Sequence, residues 1–254
     1  MLAASPRVLL REQPNEQAAT ISVSPAGIWL DVKRSEGDWL EAEWGWVRAA
    51  DVVRDDQAIE HFTAELARSE TAFAYICRSR AWLKKDDFDK AQADVSEALR
   101  LEPKNARAYF ARSTIAAAQQ RTEDELAACD RALEIDPRDP FALAARGRLR
   151  RMAGEYERAI ADLDLAIESR PRTSWLRSSR GACWGRKGDF DKAFADFTEA
   201  IQLDPLNAYS LAQRATIHLQ RQELDKALRD AEEALRLEPK NARAYFARST
   251  IAAA

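Results

Sequence analysis

Histidine is almost missing from this chain. Two occur, His61 and His218, both inside helix-patterned stretches and far apart in sequence. Histidine-centred acid–base catalysis therefore has little to draw on, and a satisfied structural role is the expectation for each. Cysteine is nearly as scarce. Cys77, Cys129 and Cys183 are odd in number, lack metal-ligand spacing and sit in apolar helical patterns, which predicts buried free thiols. No Gly-rich phosphate loop, zinc spacing or nucleophile motif appears, so no catalytic residue, metal or cofactor is expected. Acidic pairs such as Asp86-Asp87 fall at interhelix turns, where capping accounts for them. No run approaches the ~18 apolar residues of a membrane span. The opening MLAASPRVLLRE has neither the basic start nor the long apolar stretch of a signal peptide. A cytoplasmic location is the default expectation, and export would need a different N-terminus. Charge of one sign is not in excess either: 39 Lys and Arg stand against 42 Asp and Glu, net −3, which argues against the basic face of a nucleic-acid binder. At 254 residues, 46% apolar and 32% charged, the chain can bury a real core in one large domain or two smaller ones.

What the chain has in abundance is repetition. RLEPKNARAYFARSTIAAA occurs at 100–118 and again at 236–254, a displacement of 136 residues, four times 34. Pro103, Pro137, Pro171, Pro205 and Pro239 keep the same 34-residue spacing, as do Arg78, Arg112, Arg146, Arg180, Arg214 and Arg248. A period of this size signals a repeat array. Each unit is helical twice over. In SWLRSSRGACWGRKGDFDKAFADFTEAIQLDPLN, residues 174–207, a first helix runs to Gly188, which supplies a left-handed turn. Asp189 caps the second helix and Pro205 closes it. Small residues, Gly147 and Gly181 in first helices and Ala91, Ala159, Ala193 and Ala227 in second helices, mark where the two touch. Such a hairpin cannot hide its own apolar face, so stability must come from stacked neighbours.

The array resembles tetratricopeptide repeats: small residues at positions 8, 20 and 27 of the unit, aromatics at 11, 17 and 24, proline at 32. Five full units (72–105, 106–139, 140–173, 174–207, 208–241) and a partial one (242–254) carry the resemblance. The second departs most, with Thr122 in place of an aromatic and Glu125 in place of alanine; their spacing of three predicts a capping box at the start of that helix.

Residues 1–55 read differently, as short apolar stretches broken by Pro, Asn, Gly and Asp, with four tryptophans at 29, 39, 44 and 46. An opening VLLREQP, a Gly-Ile-Trp, GDW at 37–39 and GWV at 45–47 resemble the bacterial SH3-like domain, with a tight hairpin joining the last two. Residues 56–71 form a linking helix in which Ala58, Ile59, Phe62 and Leu66 copy the second helix of a repeat and cap the array. The expected fold class is α+β multidomain: a small SH3-like β-barrel followed by an all-α solenoid of five full repeats plus a terminal first helix.

The arginine series has an acidic counterpart. Asp94, Asp162, Asp196 and Asp230 stand sixteen residues after Arg78, Arg146, Arg180 and Arg214. Either each pair closes within one hairpin, or each Asp meets the next unit's Arg, eighteen residues on. Ala128 discriminates: the first arrangement leaves Arg112 without its acid, the second Arg146.

The resemblance implies a concave surface lined by positions 2, 5, 9, 12 and 13 of each first helix. In the first unit these are Phe73, Ile76, Arg80, Leu83 and Lys84. The second gives Arg107, Phe110 and Thr114, and the third Phe141, Arg148, Arg151 and Met152. The fourth gives Trp175, Ser178 and Arg186, and the fifth Tyr209, Thr216 and Gln220. Aromatics and cations without a carboxylate imply a protein or peptide partner with acidic groups and apolar anchors. Cys77, Ala111 and Ala145 stand where a clamp for a C-terminal carboxylate needs polar residues, which argues against that activity. The expected function is a non-enzymatic docking scaffold. Alternatives are an accessory region of a larger enzyme or sensor, or wall-peptide binding through the front domain. The uncovered flank of Tyr245, Phe246 and Ile251 raises two further expectations, truncation of a longer array or end-to-end self-association.

Overall fold

The structure, a computed structural model, describes residues 2–3, 7–11, 13–14, 16–17, 20–25, 32–42 and 45–252. Trp29, with its Gly-Ile-Trp motif, and Trp44 lie outside these residues. The chain divides into two compact units, Met1–Ile135 and Asp136–Ala254.

The first unit opens with short strands β1 (Leu2–Ala3), β2 (Arg7–Arg11), β3 (Thr20–Pro25), β4 (Val32–Glu36), β5 (Trp39–Ala42), β6 (Gly45–Arg48) and β7 (Val52–Val53). Five form an antiparallel sheet in the order β3-β2-β6-β5-β4, and β1 pairs with β7. Ala42 pairs with Gly45, so GDW and GWV are joined by the tight hairpin that their short separation requires. Leu40, Ala42, Trp46 and Val47 are buried, and the Arg34 guanidinium lies 4.9 Å from the Trp46 ring. Large aromatics give this small sheet a core that its length alone would not.

Helix α1 (Ala58–Arg68) buries Ala58, Phe62 and Leu66 with Val53 of β7 and with Ala74, Cys77 and Ala81 of α2 (Ala72–Leu83). Three further helices complete this unit: α3 (Phe88–Leu101), α4 (Ala106–Ala118) and α5 (Thr122–Ile135). The second unit is wholly helical: α6 (Pro140–Met152), α7 (Tyr156–Ser169), α8 (Ser174–Lys187), α9 (Phe190–Leu203), α10 (Ala208–Gln220), α11 (Leu224–Leu237) and α12 (Ala242–Ala252).

Local chemistry sets these boundaries. Asn105, Asp139 and Asn207 cap first helices by accepting from backbone N–H groups three residues on, and Asp87 and Asp189 do the same for second helices. The start of α5 differs from expectation. The Arg121 carbonyl accepts from Glu125 N, so Thr122 is the first residue inside the helix rather than its cap, and Glu125 is buried.

Every hairpin turns in the same way. Asp86, Gln120, Gly154, Gln222 and Gly188 all have positive φ, between 58° and 94°. The next residue's N–H returns to the carbonyl five residues back: Asp87 to Trp82, Arg121 to Ala116, Glu155 to Arg150, Asp189 to Trp184, Glu223 to His218. This bond satisfies carbonyls left over at the first helix's end and demands a left-handed residue before it. Three hairpins meet that demand without glycine, at a cost of about 1 kcal/mol each. Gln222→Gly is expected to stabilise the protein by about 0.5–1 kcal/mol, the relief being partly offset by the greater freedom of glycine in the unfolded chain. A urea midpoint equal to or below that of wild type would contradict this.

Candidate functional site

The arginine–aspartate series closes within hairpins. Arg78 donates through Nε and Nη2 to the two carboxylate oxygens of Asp94 at 2.9 and 2.7 Å. Arg146 grips Asp162 at 3.0 and 2.8 Å, Arg180 grips Asp196 at 2.9 and 2.6 Å, and Arg214 grips Asp230 at 2.7 and 2.8 Å. The four carboxylates are buried and the bidentate geometry is the strong form of this pairing. Hydrogen bonding to Asp94 holds the Arg78 guanidinium above its ordinary pKa, and Asp196 does the same for Arg180. These residues join the two helices of a hairpin. His218 belongs to the same framework: it is buried, its Nδ1 meets Glu223 and its Nε2 lies 3.7 Å from Asp230. That hydrogen bond to His218 is the main reason the Glu223 carboxyl sits below its usual range.

The three cysteines are buried and outside any disulfide. Burial pushes Cys77 up to about 12 and Cys183 up to about 11, so both are protonated at neutral pH and are poor nucleophiles.

The positions expected to line a concave surface do not behave alike. In the first unit, Arg80 lies 5.8 Å from the Phe110 ring and Arg107 is exposed. Phe73 meets Phe62 edge-on at 6.3 Å, and Lys84 pairs with Asp55, so both are engaged by the approach to α1. Ile76 is buried in the core with Val95 and Ala98 and takes no part in a surface. In the second unit, Phe141 stacks on Trp175 with ring centroids 6.3 Å apart, and Arg170 lies over Phe141 at 4.9 Å. Arg148 is exposed and donates to the Met152 sulfur at 3.3 Å. Ser178 is buried rather than groove-facing, because it joins Ser210 at 2.6 Å and accepts from Asn207 at 3.0 Å in a polar link between α8 and α10.

Five of the expected residues do converge. Arg151 from α6, Arg186 from α8 and Tyr209, Thr216 and Gln220 from α10 line one cavity of about 580 Å³ in the second unit. Arg243 of α12 completes its cationic set, Gln213, Thr216 and Gln220 add neutral hydrogen-bonding groups, and Phe190, Phe197 and Ile217 add apolar surface. No carboxylate is among the lining side chains. Arg243 was missed by the positional reading, although it is the duplicate of Arg107 and so occupies the same place in its unit.

Models of the tetratricopeptide repeat match residues 78–140 and 213–254, and a second model of that repeat matches 128–161. Solved structures share the fold. YrrB, described as a protein of this kind with an unusual peptide-binding site, superposes with a TM-score of 0.60 at 20% identity over 76% of this chain and 100% of its own. The pilF protein of Pseudomonas aeruginosa gives 0.66 at 18% identity, covering 78% of this chain and 85% of its own. Yeast Tom70 gives 0.61 at 20% identity over 81% of this chain and 44% of its own. No curated protein matches.

Proposed function

From a chain whose helical array is built of tetratricopeptide repeats, we propose a docking scaffold that takes an acidic protein segment with an apolar anchor. The observation that carries this reading is the cavity between α6, α8, α10 and α12. It gathers three guanidiniums and a half-exposed tyrosine around apolar walls with no acid to neutralise them. Arginine and tyrosine are the side chains most often found to dominate binding energy, and an unneutralised cationic pocket selects an anionic partner and speeds its approach. That YrrB is described by a peptide-binding site is in keeping with this use of the fold.

The test is a titration of peptides bearing Asp or Glu beside an aromatic residue against wild type and an Arg151→Glu/Arg186→Glu variant. We expect at least a tenfold loss of affinity in the variant, a weaker dependence of the remaining binding on salt, and a Tm close to that of wild type. Arg148→Glu, which reverses an arginine outside the cavity, should cost much less. Equal binding by wild type and the double variant would remove the cavity from the function.

A further inference from the structure

We propose that the second hairpin of the array, α4–α5, binds a carboxylate supplied from outside the chain, in the place that Ala128 leaves empty. Four hairpins share one device: an arginine of the first helix holds an aspartate of the second through Nε and Nη2. The second hairpin keeps the arginine, Arg112, and has alanine at the aspartate's position. The Nε of Arg112 is sealed from solvent and has no hydrogen-bond partner. A buried donor without an acceptor costs free energy, and more so when it is charged.

A cleft adjoins this arginine. Arg112 and Ala128 line a cleft of about 380 Å³ together with Gln92 of α3, Tyr109, Arg121 and Arg131. Three guanidiniums thus face one cleft, and their acids are few. Asp124 lies at the rim in an ion pair with Arg121 at 3.2 Å, and Arg131 pairs with the exposed Glu134. Arg112 itself is left with the Tyr109 ring, 5.7 Å from its guanidinium carbon. The Tyr109 ring also lies 5.8 Å from Arg131, so it holds both cations along one wall.

The four sibling hairpins identify the ligand chemistry. The same donor pair on the same helix position is satisfied in each of them by two carboxylate oxygens, so the shape left vacant is that of a carboxylate. The cleft lies in the first compact unit, apart from the residues of the cavity assigned to segment docking, and the two proposals stand or fall separately.

The experiment follows the Tm and the calorimetric binding of the full chain with acetate, succinate and a short capped peptide containing one aspartate, against sodium chloride at matched ionic strength. Wild type is expected to show a saturable rise in Tm with carboxylates beyond that given by chloride. Ala128→Asp fills the site from within and should by itself raise the Tm and weaken the carboxylate response at least tenfold. Arg112→Gln removes the donor's charge and should lose the response as well. Tighter binding of the aspartate peptide than of its asparagine counterpart, or of succinate, assigns the carboxylate to a partner protein; the reverse order assigns it to a small acid. A wild-type response no larger than that to chloride, or an undiminished response in both variants, overturns the proposal.

Discussion

Replacing Asp162 by alanine is expected to destabilise the protein by about 3 kcal/mol or more, a fall in Tm of roughly 6–12 °C, measured by thermal melts followed by circular dichroism. Asp162 is buried and accepts from two arginines, Arg146 through Nε and Nη2 and Arg150 through Nη1 at 2.7 Å. Removing it takes from two partly buried guanidiniums the carboxylate that both share. Much of the loss is the cost of weakening the pairing of those cations rather than the worth of the bond itself, as with any buried pair broken from one side. Asp196→Ala should cost less, because Asp196 holds one arginine, Arg180, where Asp162 holds two. Equal melting of wild type and Asp162→Ala would mean that water already solvates the pair. The second hairpin shows that the fold tolerates one vacancy of this sort.

Gly181→Val is the second large effect. A Cβ at Gly181 would stand 3.0 Å from Phe197 Cε1 and 3.1 Å from Asp196 Cβ. Phe197 cannot retreat easily, since it is buried with Ala193 and Ile217. Alanine gains about 1 kcal/mol of helix propensity against that tight contact, so Gly181→Ala should lie within about 1 kcal/mol of wild type. Valine adds two methyl groups to the same gap and should cost about 2–3 kcal/mol through forced repacking. A Gly181→Val protein that melts like wild type would show that α8 and α9 separate without penalty.

The hairpins were legible because their determinants are residue types. Proline ended second helices, small residues marked helix contacts, and Ala128 was informative as an exception. The structure pairs Arg146 with Asp162 and leaves Arg112 Nε without a partner, which is the outcome the within-hairpin arrangement requires. The left-handed turn was read from the sequence at Gly188, and Gly154 adopts the same conformation. At Asp86, Gln120 and Gln222 the conformation is imposed by the backbone bond across the turn, and no side chain announces it. The surface was harder to read. Ile76 and Ser178 occupy positions that the family pattern turns toward the groove, yet one is drawn into the core and the other into a buried polar link. Position within a repeat sets a direction for the side chain, and the neighbouring helix decides whether that direction ends in solvent. Arg243 escaped because the positional reading stopped at the fifth unit.

The bidentate arginine–aspartate pair is completed inside its own stretch of 34 residues, so such a stretch carries its most buried salt link with it, even where Arg180 also reaches back to Asp164 of the preceding unit. Copying, deleting or transplanting it brings both partners of that buried pair along. Had the links bridged successive units, every recombination event would have set an arginine against a stranger's side chain. A gene of this design can change the number of its cassettes without first inventing new compensating charges.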